Sequence, residues 1–226
     1  MAIVFDADLG GTFNNAAATT LVLTTIATAA ANTKIVVTVG GNAAPTSVAD
    51  SASTTYRLIG SGIVNGAANV YIYEGDAASG LASGGTITAT YGSSTSGRMV
   101  MASSLTGVGT GTASVEASQT RTQVSQTTWS ANAITPAANN EMVFASASSA
   151  GGADATNTAG GGFTVIRSSG GSTRNWATEY LIQTTASAAT ASGTWSASQT
   201  GADGANMVVV FKPGGFIKSG IGVIGP

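Results

Sequence analysis

Helical periodicity is nearly absent from this chain. Apolar residues come instead in short runs and alternations bounded by Gly, Ser, Asn and Asp. Side chains on an extended backbone alternate between faces, so this pattern marks strands separated by turns. It predicts strands near Ala2–Phe5, Thr20–Ile26, Lys34–Val39, Thr55–Ile59, Val70–Tyr73, Thr86–Tyr91 and Arg98–Ser103. A second set is predicted near Thr127–Ala131, Glu141–Ala145, Phe163–Arg167, Ala177–Gln183, Gly193–Ala197 and Met207–Phe211. The expected fold class is all-β, an antiparallel β-sandwich.

The turns have chemical reasons. Gly40-Gly41-Asn42, Gly84-Gly85, Gly170-Gly171 and Asp203-Gly204 are expected to supply positive-φ positions. Pro45 and Pro136 fall outside the predicted strands, as a missing N–H requires. Ala27–Ala31 has helical composition, but its β-branched neighbours favour a loop.

A weak internal repeat accompanies this pattern. Ala31–Val37 resembles Ala138–Phe144, an offset of 107 residues. Tyr71-Ile72-Tyr73 lies opposite Glu179-Tyr180-Leu181, Thr86-Ile87 opposite Thr194-Trp195, and Arg98–Met101 opposite Asn206–Val209, all at an offset of 108. Two accounts compete: chance self-similarity in a strand-rich chain, or two pseudo-repeated halves, 31–105 and 138–213. Such halves could pack as adjacent sandwiches or around one shared core. The connection at Gly107–Val124 lacks linker composition, which favours one shared core and a single domain over 1–213. Val36 and Val143 should then be equivalent buried positions, and so should Met99 and Met207. A chain of 226 residues can bury roughly 70–75% of its unfolded surface, enough for a large core.

Composition excludes much chemistry. There is no histidine and no cysteine, which removes Ser-His-Asp catalysis, thiolate nucleophiles and His or Cys metal sites. Charged residues make up 8% of the chain, against about 25% in an average soluble protein. Ser, Thr, Asn and Gln must therefore solvate the surface. The formal net charge of −2 gives no basic field, so no nucleic-acid partner is expected. A charge-poor surface also resists association weakly, which suits a chain held at high local concentration in an assembly, such as a homo-oligomer, or a chain outside the cell. No basic residue precedes Lys34, and Asp6 and Asp8 interrupt the opening, so a secretory signal is not expected. Thr19–Ala31 is too short and Thr-rich to span a bilayer, so no membrane partner is expected.

Few constellations could carry chemistry. Asp6/Asp8 and Glu74/Asp76 are carboxylate pairs at i, i+2, the spacing that puts both on one side of a strand. Their neighbours fit solvated turn acids better, and no catalytic residue is assigned. Asp50, Asp76, Asp154 and Asp203 offer hard oxygen ligands, but no Asp-x-Asp-x-Asp-Gly loop is present, so no metal or cofactor is expected. Gly160-Gly161-Gly162 lacks the following Lys of a phosphate cradle. Trp195 reads as an inward core residue. Trp176, after Arg174-Asn175, is the best surface candidate for a glycan contact, although packing in the core or on a sheet face suits the same ring better. Beyond Pro213 the character changes. Residues 214–226 form an apolar arm after a Gly hinge, and Phe216, Ile217, Ile221, Val223 and Ile224 would face water unless a partner covers them.

The opening Phe5-Asp6-Ala7, the segment Asn32–Val37, the stretch Gly193-Thr194-Trp195-Ser196 and the closing Met207–Pro213 resemble a β-sandwich family found in tailed-phage and prophage virion proteins and related bacterial surface modules. The resemblance covers roughly residues 3–213. It implies a jelly-roll-like sandwich, a location in the virion, other virion proteins as partners and no enzymatic activity. It transfers no functional residue. The expectation is a structural protein of a tailed bacteriophage that decorates or cements the capsid, or sits on the tail. The alternative is a cell-surface glycan-binding module of the receptor-binding or adhesin type.

Overall fold

The structure is a computed structural model. It describes residues 2–125, 127–151, 154–171, 174–199 and 202–214. The first half contributes β1 (Val4–Asn14), β2 (Ala18–Thr24), β3 (Thr33–Gly40), β4 (Pro45–Asp50), β5 (Tyr56–Leu58), β6 (Ile63–Asn65), β7 (Ala68–Ala77), β8 (Thr86–Thr95) and β9 (Arg98–Thr106). A 3-10 turn at Thr112–Ser114 leads into the second half. That half contributes β10 (Val115–Ser125), β11 (Thr128–Ser130), β12 (Glu141–Ala150), β13 (Asn157–Ala159), β14 (Thr164–Gly171), β15 (Arg174–Gln183), β16 (Ser192–Trp195) and β17 (Ala202–Phe211). The 3-10 turn is the one helical element among the described residues. The protein is an all-β sandwich of antiparallel sheets.

The strands form four layers. An outer sheet β2-β8-β4 packs on an inner sheet β1-β9-β3-β7-β5, to which β6 adds beside β7. The second inner sheet has the order β10-β17-β12-β15-β14, and the second outer sheet β11-β16-β13 covers it. Read in chain order and leaving β6 aside, the two inner sheets have the same strand sequence, and so do the two outer ones. The inner sheets meet face to face with opposed order: β1 lies against β14, where Arg167 pairs with Asp8, and β6 lies against β10, where Asn65 bonds to the carbonyl of Gln123.

This stacking creates three cores. Between the first outer and inner sheets lie Leu21, Leu23, Ile35, Val37, Tyr71 and Ile87. Between the second pair lie Trp129, Trp195, Val143, Phe163, Val208 and Val210. The middle core, between the inner sheets, holds Val36, Ile72, Leu105, Phe144, Met207 and Phe211, with Met99, Met101 and Trp176 adjoining. Each half thus has its own core, and the halves also share one. Every residue of β3 and β12 is buried, because each strand has a covered face on both sides. That is why apolar residues fall on both faces of these strands, as in Ile35-Val36-Val37 and Met142-Val143-Phe144, instead of strictly alternating.

Face assignment tests the proposed equivalences. Met99 and Met207 both face the middle layer. Val36 faces the middle core but Val143 faces the second half's own core. The offset of 107 is odd, and a slip of one residue turns a side chain to the opposite face.

Several expectations about turns need correction. Pro45 opens β4, an edge strand whose first residue needs no N–H in the ladder. The segment Gly107–Val124 is not a bare connection, since most of β10 lies within it. Gly84 takes the expected positive φ of 82°, whereas Gly40, Gly170 and Gly204 lie within strands. Gly40 serves close approach: a Cβ there would sit 2.4 Å from Trp176 Nε1.

The middle core should carry the stability of both halves. Phe144 is buried against Phe211, edge to face with ring centroids 6.5 Å apart. Phe144→Ala is expected to cost about 3–5 kcal/mol, read as a lower urea midpoint. Val22→Ala, on an exposed outer face, should stay within about 0.5 kcal/mol of the parent.

Candidate functional site

The seam between the halves concentrates polar chemistry. Glu74 and Asp76 do point to one side of β7, as their spacing requires. That side meets cations. Lys34 Nζ lies 3.1 Å from Glu74 Oε2 and also pairs with Asp76 Oδ1, while Arg57 Nε lies 2.8 Å from Glu74 Oε1. Ser114 Oγ donates to Glu74 at 2.7 Å, and the Gly111 N–H donates to Asp76 at 2.9 Å. Burial acts against the Asp76 carboxylate, but the Lys34 bond, the Gly111 N–H and the charges of Lys34 and Arg57 outweigh it and hold its pKa below the usual range. Two carboxylates matched by two cations and two further donors form a fastening. The Gly111 and Ser114 contacts tie the connecting segment to the first half.

Other acids are likewise engaged. Arg167 holds Asp8 with two bonds, Nη2 to Oδ2 at 2.6 Å and Nε to Oδ1 at 3.2 Å, across the seam. Asp6 accepts from Ser104 Oγ at 2.7 Å. Asp50 accepts the N–H groups of Ala52 and Thr54 and the Tyr56 hydroxyl, the behaviour of a turn acid. Asp203 accepts the Ala67 N–H at 3.2 Å. Among the described residues, no three His, Cys, Asp or Glu side chains come together as a metal-binding group.

Trp176 is not a surface residue. It is 0% exposed and packs against Phe13, Met99 and Met101, with Phe13 at a centroid distance of 5.1 Å. Of the two roles weighed for this ring, glycan contact and core packing, its burial supports the core one. Arg174, two residues earlier, suggested a polar surface, but its guanidinium turns into the seam and donates to Ala67 O and Asn42 Oδ1. Trp195 is in the core as expected. Phe216, Ile217, Ile221, Val223 and Ile224 lie outside the described residues. The last described residue, Gly214, donates its N–H to Gly107 O at 2.7 Å.

Two features escaped sequence reasoning. One is a groove of about 570 Å³ on the outward face of β11, β16 and β13, walled by Arg121, Gln123 and Val124 of β10. Cross-strand register lines up Thr128, Thr194 and Thr158 in one row and Ser130 with Ser192 in the next. The other lies directly beneath. Trp129 Nε1 donates to Asn157 Oδ1 at 2.9 Å, and Asn157 Nδ2 lies 3.5 Å from Glu179 Oε2. Gly193 makes room for this cluster, since a Cβ there would sit 2.2 Å from Asn157 Oδ1. Glu179 lies on the same face as Ala177 and Leu181, toward the second half's own core, in a strand buried from Arg174 to Glu179.

No family model, no curated protein and no solved structure matches this chain.

Burial pushes the Glu179 carboxyl up to about 8, against the opposing hydrogen bonds from Asn157 and the Ser192 N–H. The folded chain thus keeps a proton there that the unfolded chain releases near pH 4–5. The contribution to stability is full below that range and is lost as pH rises through about 8. Urea midpoints should accordingly fall between pH 5 and pH 9, and Glu179→Gln should flatten that fall.

Proposed function

We propose that this chain is a structural protein of a tailed-bacteriophage virion, one of many copies that decorate or cement the capsid or sit on the tail. In this reading its two halves are pseudo-repeated, jelly-roll-like sandwiches fused into one block, and its partners are other virion proteins and further copies of itself. The observation that carries the reading is the middle core. Strands covered on both faces, in two sheets locked together, resist bending and shear in a way that a single sandwich with a solvated face does not. The matching strand order of the two halves supports the pseudo-repeat.

The outer faces supply the rest. Thr20, Thr90 and Ser47 form one cross-strand row on the first outer sheet, and Thr24 pairs with Thr86 two steps along. Hydroxyl rows keep a strand soluble without the desolvation cost of charge, so such a face can lie against another protein cheaply. The scarce acids and cations named above are mostly engaged inside the seam or in turns. A mechanical role needs no reactive cleft, and the Glu74/Asp76 carboxylate pair is neutralised by Lys34 and Arg57.

Purified particles should contain this chain in many copies, and gold-labelled antibody should mark the shell or tail in electron micrographs. Recovery of the chain only in the soluble fraction would overturn the reading. Deleting residues 215–226 spares the Gly214–Gly107 bond. That truncated chain should keep the parent's urea midpoint but bind particles more weakly. Full occupancy by the truncated chain would remove the arm from the mechanism.

A further inference from the structure

We propose that the groove across the second outer sheet binds an acidic saccharide, with Arg121 holding the sugar carboxylate. The site belongs to the isolated chain and does not depend on assembly into a particle.

Its volume, about 570 Å³, is in the range of small-molecule sites. Its floor is a hydroxyl grid. Thr128, Thr194 and Thr158 are exposed and share one cross-strand row. Ser130 and Ser192 make the second row. A side chain at position 160 would bring its Cβ to 2.7 Å from Ser192 Oγ, so Gly160 keeps that hydroxyl open. Hydroxyls both donate and accept, as sugar hydroxyls do, and can match them in either sense. The Gln123 carboxamide is used on the protein side, its Oε1 accepting from Ser130 N at 3.2 Å and Asn206 Nδ2 at 3.1 Å. It therefore braces the wall.

Charge selects the class of sugar. Among the described residues, Arg121 is the one charged residue lining the groove, and no carboxylate lines it. Arg57 and Arg167 are paired with acids, whereas Arg121 enters no ion pair among the described residues. Its Nη1 donates to Ser130 O at 3.1 Å and to Ser130 Oγ at 3.3 Å. Those bonds fix the guanidinium at the groove wall, and its fork geometry suits a carboxylate. Val124 is 71% exposed on the same wall and offers an apolar surface to the C–H face of a pyranose ring. A phosphate would want a second cation, and among the described residues Arg121 is the one cation lining the groove.

The test is a titration of the full chain followed by amide NMR. The probes are an oligogalacturonate, the neutral oligogalactose of equal length, and inorganic phosphate. The acidic oligosaccharide should shift the amides of Thr128, Gly193 and Thr194 in a saturable way, and the other two probes should not. Arg121→Gln, at an exposed position, should weaken that binding at least tenfold and leave the remaining amide spectrum intact. Thr194→Trp, which fills the middle of the floor, should abolish it. Equal response to the neutral sugar, saturable response to phosphate, unchanged affinity in Arg121→Gln, shifts confined to other faces, or no shift at all would each overturn the proposal.

Discussion

The contact between the two inner sheets governs the rest of the molecule. A sheet buried on one face needs apolar residues at every second position. A sheet buried on both needs them on both faces, and Ile35-Val36-Val37 of β3 and Met142-Val143-Phe144 of β12 supply them. Each large apolar side chain fully buried there is worth roughly 1.5–3 kcal/mol. The same contact dictates where charge can go. Lys34 and Glu74 lie at the margin of the middle layer, almost fully buried, and an isolated charge there would be strongly unfavourable. They survive because Arg57, Asp76 and Ser114 complete the set. Along the rest of the seam Asp8 meets Arg167, Asp203 meets the Ala67 N–H, and Phe5 stacks on Tyr180 with centroids 4.8 Å apart. A chain this poor in charge concentrates it where the two halves join.

How far this could be read from the sequence depended on burial. Strands with an apolar signature, such as Lys34–Val39 and Met207–Phe211, stand out because the middle layer covers them. β10 was missed because it is an edge strand. It pairs with β17 over its length, but few of its side chains are covered, so Val115-Glu116-Ala117-Ser118-Gln119 carries no alternation to find. β4 was missed because a proline opens it. The segment matches behind the suggested repeat align Val36 with Val143, residues that face different cores. Within Ile35-Val36-Val37 and Met142-Val143-Phe144, adjacent residues look alike although they serve different cores.

Site residues were harder, for a related reason. Trp176 looked peripheral because Arg174 and Asn175 precede it, yet the seam uses polar residues internally. A polar flank is therefore no guide to exposure in this molecule. The groove assembles from β10, β11, β13 and β16, and its hydroxyls are ordinary surface residues until cross-strand register lines them up. Glu179 sits one step from Tyr180 in a strand whose other residues are largely uncharged. Nothing in the local sequence announces that Asn157 and Trp129 close over it.

The opposed stacking of the inner sheets has a geometric result. Stacked sheets sit about 10 Å apart, so four layers set the two outermost sheets roughly 30 Å from each other. Their hydroxyl-bearing surfaces look in opposite directions. The molecule is thus a two-sided plate of fixed thickness, able to touch one neighbour with each broad side at once. Its incompressible interior would transmit load straight from one contact to the other.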